Sequence, residues 1–316
     1  MLNDSRDLPH FTAGLSLELR RVGSADEKKM NLAIQSDQYL KNGIEGGLER
    51  IGGIGYKYAT YTVKGRYDEP FVDFSDDELK KEYGPIGKAF EEKGIKIVYN
   101  ELSTEMYVNY LTNTNAAREK MVIQTIKASS FMGVSHLLLK PFFIIPAGDD
   151  PVSVTREKLY ELLELFMPVA KEYGVKLLIT NNTFHNTKLF FGSEPEDLLE
   201  LYERYGVMTV IDPVNAYKAK WKLSKAMMMI KDVIYAYQIT DVEPSVRNPF
   251  MPMMGSIDYP QVIRTLAAIS EERPDFVAVM NANIVFKRFS EFDSDGLDSA
   301  LDNLLYKMGR IIVGDR

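Results

Sequence analysis

The chain contains no cysteine. Disulfides, thiolate metal sites and cysteine nucleophiles are thereby excluded, and any chemistry falls to carboxylates, amides, lysines and three histidines. Long hydrophobic runs are missing too. The longest, such as Val175 to Ile179 and Val207 to Ile211, fall far short of the roughly 20 residues that cross a bilayer, so no membrane partner is expected. The opening residues mix Asp4, Arg6, Asp7 and His10 without an apolar stretch, which argues against a secretion signal and for a cytoplasmic location. Positive charge is in deficit, with 38 Lys and Arg against 45 Asp and Glu and a net charge of −7. That balance disfavours nucleic acid as a partner, and Lys218, Lys220, Lys222 and Lys225 read as a solvated helix face. No Pro-, Gly- or Ser-rich linker divides the chain.

What is present is a regular alternation. In 316 residues that are 45% hydrophobic, short apolar runs alternate with stretches of helical periodicity. The runs are Asn31 to Gln35, Tyr56 to Thr62, Ile95 to Asn100, Ser135 to Lys140, Val175 to Thr180, Val207 to Asp212, Val233 to Gln238 and Phe276 to Met280. Eight such units predict parallel strands joined by crossover helices, that is, an α/β (β/α)8 TIM barrel over residues 30–316, with residues 1–29 as a short N-terminal extension. Gly94, Gly133, Gly174 and Gly206 each fall just before a run, where a helix must end. Within the helix ahead of Gly174, Leu159, Leu162, Leu163, Phe166 and Ala170 keep helical spacing, but Pro168 predicts a kink or break near residues 164–168.

A barrel of this kind places its functional groups at the C-terminal ends of its strands. Those ends carry Gln35 and Asp37, Asn100 and Glu101, Lys140, Asn181, Asn182 and His185, Asp212 and Asn215, Gln238 and Asp241, and Asn281 and Asn283. Amides and isolated charges can bind several hydroxyl groups at once, which suits a polyol or sugar; the same residues also cap helices and satisfy loop backbone. Lys140, just before Pro141, is expected to project into the cleft as a working ammonium, or else to snorkel to solvent at the rim or pair with Asp212 or Glu101. His185 lies in a loop on the same face, whereas His136 begins its strand on the opposite, structural face. The apolar loop Asn248 to Met254 is expected to cover the cleft mouth or meet another subunit.

The ordered segments KEYGVKLLITNN, EPEDLLELYERYGVMTVIDPVNAY, IKDVIYAYQITDV and GSIDYPQVIRTL resemble the xylose-isomerase-like sugar phosphate isomerases and epimerases across residues 120–282, and MNLAIQSD and GIGYKYATY are more loosely similar to that family's first strands. The resemblance implies a divalent metal held by glutamate on strand five, aspartate on strand six, histidine on strand seven and glutamate on strand eight. This chain offers Thr180 and Asn181, Asp212, Gln238, and Met280 and Asn281 at those places, with Asn215 where a further histidine is often found. No cofactor or tight metal site is therefore expected, at most a weak divalent cation on oxygens of Asp212, Asn181 and Gln238.

Three functions follow as expectations. The first is an isomerase- or epimerase-like enzyme on a small-molecule sugar, sugar phosphate or related hydroxy-carbonyl compound, working without the metal. Asp212, Lys140 and Glu101 are its catalytic candidates, and Asn181, Asn182, His185, Asn215, Gln238 and Asn281 its substrate-binding candidates. The second is a non-catalytic carbohydrate-binding or partner subunit, and the third a Schiff-base lyase acting through Lys140. The resemblance also admits a homo-oligomer.

Overall fold

The computed structural model describes residues 30–63, 70–102, 116–140, 148–182, 184–185, 188–243, 245, 249–282, 298, 301, 304, 307 and 308. The 1–29 extension, with His10, and also Asn248 and Asn283 lie outside these residues.

Eight parallel strands form the centre: β1 (Asn31–Gln35), β2 (Tyr58–Val63), β3 (Lys96–Leu102), β4 (His136–Leu139), β5 (Lys176–Thr180), β6 (Met208–Ile211), β7 (Ile234–Ile239) and β8 (Val277–Met280). They close into a barrel in which each strand pairs with its sequence neighbours and β1 returns to β8. Every strand falls on one of the eight apolar runs, with ends displaced by no more than about two residues. The seam is reinforced by Asn31, whose Nδ2 donates to the carbonyls of Pro274 at 2.7 Å and Phe276 at 3.2 Å.

Helices α1 (Ile44–Ile54), α2 (Asp76–Glu92), α3 (Ala116–Phe131), α4 (Pro151–Glu172), α5 (Pro195–Tyr205), α6 (Pro213–Lys218), α7 (Leu223–Met229) and α8 (Tyr259–Glu272) connect the strands. Their apolar stripes, for instance Leu159, Leu163 and Phe166 of α4, pack with the outward faces of the strands into one large core. A second, smaller core of Ala33, Val98, Leu138, Leu178, Val210, Ala236, Val277 and Val279 fills the barrel itself. Gly94, Gly133, Gly174 and Gly206 all adopt left-handed backbone where helix gives way to strand. After β8, Asp298 accepts from Arg50 Nη2 at 3.1 Å and Tyr39 Oη at 3.3 Å, and Leu301, Leu304 and Met308 are buried.

Of the kink or break expected near Pro168, the break does not occur, because α4 is continuous through that residue. Pro168 is exposed, so the carbonyl that loses its partner faces water, which can replace the missing N–H. No helix among the described residues is long and apolar enough to cross a membrane.

Candidate functional site

Strand alternation builds the site. Because Ala33, Leu138, Leu178, Val210, Ala236 and Val279 point into the barrel, Gln35, Lys140, Thr180, Asp212, Gln238 and Asn281 follow two residues later on the same face, at its C-terminal mouth. Strand β3 reaches that layer differently. Its register against β2 slips beside Val98, so Val98 and Tyr99 both join the interior and Glu101 becomes the inward residue.

Glu101 and Lys140 form an ion pair through Glu101 Oε2. The carboxylate side chain is 6% exposed and the lysine 35%. Burial works to lower the lysine pKa, but the charge and hydrogen bond of Glu101, with the charges of Asp212 and Asp37, outweigh it and hold Lys140 above the ordinary lysine range. Asp212 is affected in the other direction. Burial raises its pKa above the usual carboxylate value, against the pull of the Val214 N–H, which donates to Oδ1 at 2.8 Å, and of Lys140. Below this layer the Tyr99 hydroxyl is pushed well up, by burial and then by Glu101. Among the described residues Glu101 Oε1 and Asn281 Oδ1 are buried with no hydrogen-bond partner, whereas the Gln238 amide and the Tyr99 hydroxyl act on each other.

The structure brings Asp212, Lys140, Glu101, Gln238 and Asn281 into this layer. The other amides are used in building the rim. Asn181 is fully buried, its Oδ1 accepting from Asp212 N at 2.6 Å and its Nδ2 donating to the Asp212 carbonyl at 3.0 Å. Asn215 Nδ2 donates to the Asn181 carbonyl at 3.0 Å, and Asn182 Nδ2 to that of Phe191 at 2.9 Å. The backbone of His185 belongs to a two-stranded hairpin, paired with Lys188. Asn100 turns away from the cleft, donating to Ser129 Oγ at 3.0 Å behind the sheet.

Asp241 is also structural. Its buried carboxylate accepts from the N–H groups of Val242 at 2.7 Å, Gly255 at 2.8 Å and Ile257 at 3.0 Å, while Thr240 Oγ1 donates to the Phe250 carbonyl at 3.1 Å. These bonds pin the described part of the 248–254 loop, and Met251 is buried. Tyr99 was missed by sequence reasoning. Only the register slip turns it inward, and no composition or spacing announces that slip.

His136 stacks on Tyr235, ring centroids 4.4 Å apart, and contacts its hydroxyl at 3.3 Å. Burial, with Lys176 and Lys96 nearby, lowers its pKa to about 4, so it is neutral and structural at pH 7. Among the described residues no three His, Cys, Asp or Glu side chains are grouped as a metal ion would require.

The sequence model described as xylose isomerase-like TIM barrel matches residues 49–277, and the chain belongs to that family. Solved structures show the same fold. D-psicose 3-epimerase with D-tagatose from Clostridium cellulolyticum H10 is 13% identical, with 90% of this chain and 99% of that one covered and a TM-score of 0.62. The IOLI protein with a bound zinc atom is 17% identical over 90% and 98%, also at 0.62. The E. coli 3-keto-D-glucoside 4-epimerase YcjR is 14% identical over 79% and 91%, at 0.58. No curated protein matches the chain in sequence.

Proposed function

We propose that this chain binds and isomerises or epimerises a sugar or sugar-like hydroxy-carbonyl compound at the C-terminal mouth of the barrel, with Lys140 supplying the positive charge that a divalent metal supplies in the resemblance. The observation that carries the reading is the Glu101–Lys140 pair, set beside the Glu101 and Asn281 oxygens that have no partner among the described residues. Of the four implied ligand positions only Asp212 is acidic, and it lies close enough to Lys140 to feel its charge. One carboxyl group beside a fixed ammonium does not fit a divalent ion. The weak cation site would draw on Asn181 Oδ1, which the Asp212 N–H already occupies.

In this reading the Lys140 ammonium hydrogen-bonds the substrate carbonyl oxygen and stabilises the enediolate that forms there. Glu101 takes the proton from the adjacent carbon. Asp212, three strands further round the barrel and held toward its protonated form, returns a proton to carbon; exchange with solvent then resets both carboxyl groups. The Schiff-base alternative needs a neutral amine, and Glu101 favours the charged one. Borohydride trapping is therefore expected to yield no adduct. The non-catalytic carbohydrate-binding alternative leaves recognition to the amides, and those of Asn181, Asn182 and Asn215 serve backbone instead.

The test is metal analysis of the purified protein, combined with thermal-shift and turnover measurements on free and phosphorylated sugars with and without chelator. Stabilisation and turnover indifferent to chelator are expected. A stoichiometric transition metal would overturn the metal-free reading, and ligand stabilisation without turnover on any sugar would favour the binding protein.

A further inference from the structure

We infer that this site accepts an uncharged polyhydroxy carbonyl compound and turns its phosphorylated counterparts away. The inference rests on the sugar reading above and narrows it. Two observations carry it, one of charge and one of hydrogen-bond polarity.

The inward-facing cation of the layer, Lys140, is already matched. Glu101 contacts it directly, from a side chain only 6% exposed, and Asp212 and Asp37 act on it as well. Lys218, on the last turn of α6, is a further described cation acting on Asp212. A phosphate dianion reaching the Lys140 ammonium would lie against the buried Glu101 carboxylate, where few water molecules screen the repulsion. Displacing Glu101 instead would strand that carboxylate unpaired in the barrel.

The unpartnered atoms point the same way. Among the described residues Glu101 Oε1 and Asn281 Oδ1 are acceptors without donors, beside a Gln238 amide whose described partner is the Tyr99 hydroxyl. Glu101 and Gln238 are both more than nine-tenths buried and lie in the inward register. A sugar hydroxyl donates and accepts, so a run of hydroxyls can satisfy the whole set. A phosphate dianion only accepts, so where it takes the place of such a hydroxyl it leaves the acceptor oxygen that it faces without a partner.

The experiment measures binding by calorimetry and thermal shift on the full chain, as wild type and Glu101→Gln. The probes are free ketohexoses, their phosphate esters and inorganic phosphate. Wild type should bind at least one free ketose on the order of tenfold or more tighter than its phosphate ester. Glu101→Gln, which uncovers the ammonium, should bind inorganic phosphate on the order of tenfold tighter than wild type does. Wild type that prefers the phosphate ester, or binds inorganic phosphate as tightly as Glu101→Gln, would overturn the inference while leaving a sugar site in place. Silence toward every sugar would sink the sugar reading and with it the ligand class. The inorganic-phosphate comparison needs no sugar, so the anion filter stands or falls on it separately. Should Glu101→Gln not fold, Asp37→Asn removes a second negative charge acting on Lys140 and should tighten inorganic phosphate binding in the same direction by a smaller factor, its amide still able to accept from Thr62 N and donate to Thr62 Oγ1; no tightening in that variant would overturn the inference.

Discussion

Asn181 and Asp212 hold each other through both atoms of one side-chain amide, Asp212 N to Asn181 Oδ1 at 2.6 Å and Asn181 Nδ2 to the Asp212 carbonyl at 3.0 Å. The clamp ties the end of β5 to the end of β6 and fixes the backbone from which the Asp212 carboxyl projects. Asn181→Ala leaves a donor and an acceptor unsatisfied and should cost about 2–4 kcal/mol in urea unfolding. Any ligand affinity of the site should fall with it. Asn181→Asp keeps the acceptor, loses the donor and adds a charge beside Asp212, so it should not restore stability.

The Glu101–Lys140 pair lends itself to a double-mutant cycle. Lys140→Met strands a buried carboxylate and should destabilise by about 1–3 kcal/mol, a range reduced from that of a fully buried pair because the lysine is partly exposed. Adding Glu101→Gln removes the stranded charge and should recover much of the loss. Lys140→Met alone should abolish turnover. If the two substitutions destabilise additively in denaturant unfolding, the pair is not coupled as described.

Two groups should give pH slopes of opposite sign. Asp212 has a folded pKa raised above its unfolded value, so the folded state holds the proton more tightly. Its contribution therefore weakens as pH rises from the ordinary carboxylate range through the raised value. Asp212→Asn should remove that slope, be neutral to stabilising at pH 7, and reduce turnover if the carboxyl donates the proton.

His136 behaves in reverse. Its folded pKa is lowered from 6.5 to about 4, so the unfolded chain takes up a proton before the folded one does. Stability should fall by up to about 3 kcal/mol between pH 6.5 and 4. His136→Phe should flatten this part of the profile, as measured by urea midpoints at pH 7 and pH 5.

The rim loop tolerates no side chain at Gly255. A Cβ there would lie 2.3 Å from the Val242 carbonyl oxygen and 2.5 Å from Asp241 Oδ1. Gly255→Ala should destabilise by about 2–4 kcal/mol, whereas Met254→Ala, at a residue 61% exposed, should change melting temperature little.

Much of the barrel was legible because its signal is repeated: eight apolar runs, each in its place, with glycines marking the helix ends. Pro168 does not interrupt its helix, since its face, which a local rule cannot supply, is exposed. The site was legible by position but not by role. Strand-end spacing located Glu101, Lys140, Asp212, Gln238 and Asn281, yet nothing in a sequence separates an asparagine that faces a cleft from one that clamps a neighbouring loop, as Asn181 does. Nor does alternation foresee the slip at Val98 that turns Tyr99 inward.

The seam between β1 and β8 has a consequence for how the chain is made. The first strand of the barrel finds its second partner only when residues 277–280 have been synthesised, some 245 positions later, as the Asn31–Phe276 contact records. Until then β1 and β7 present open edges, each able to pair with another nascent chain. Ring closure is thus the step of highest contact order, and loss of the Asn31 amide should register first as aggregation during expression.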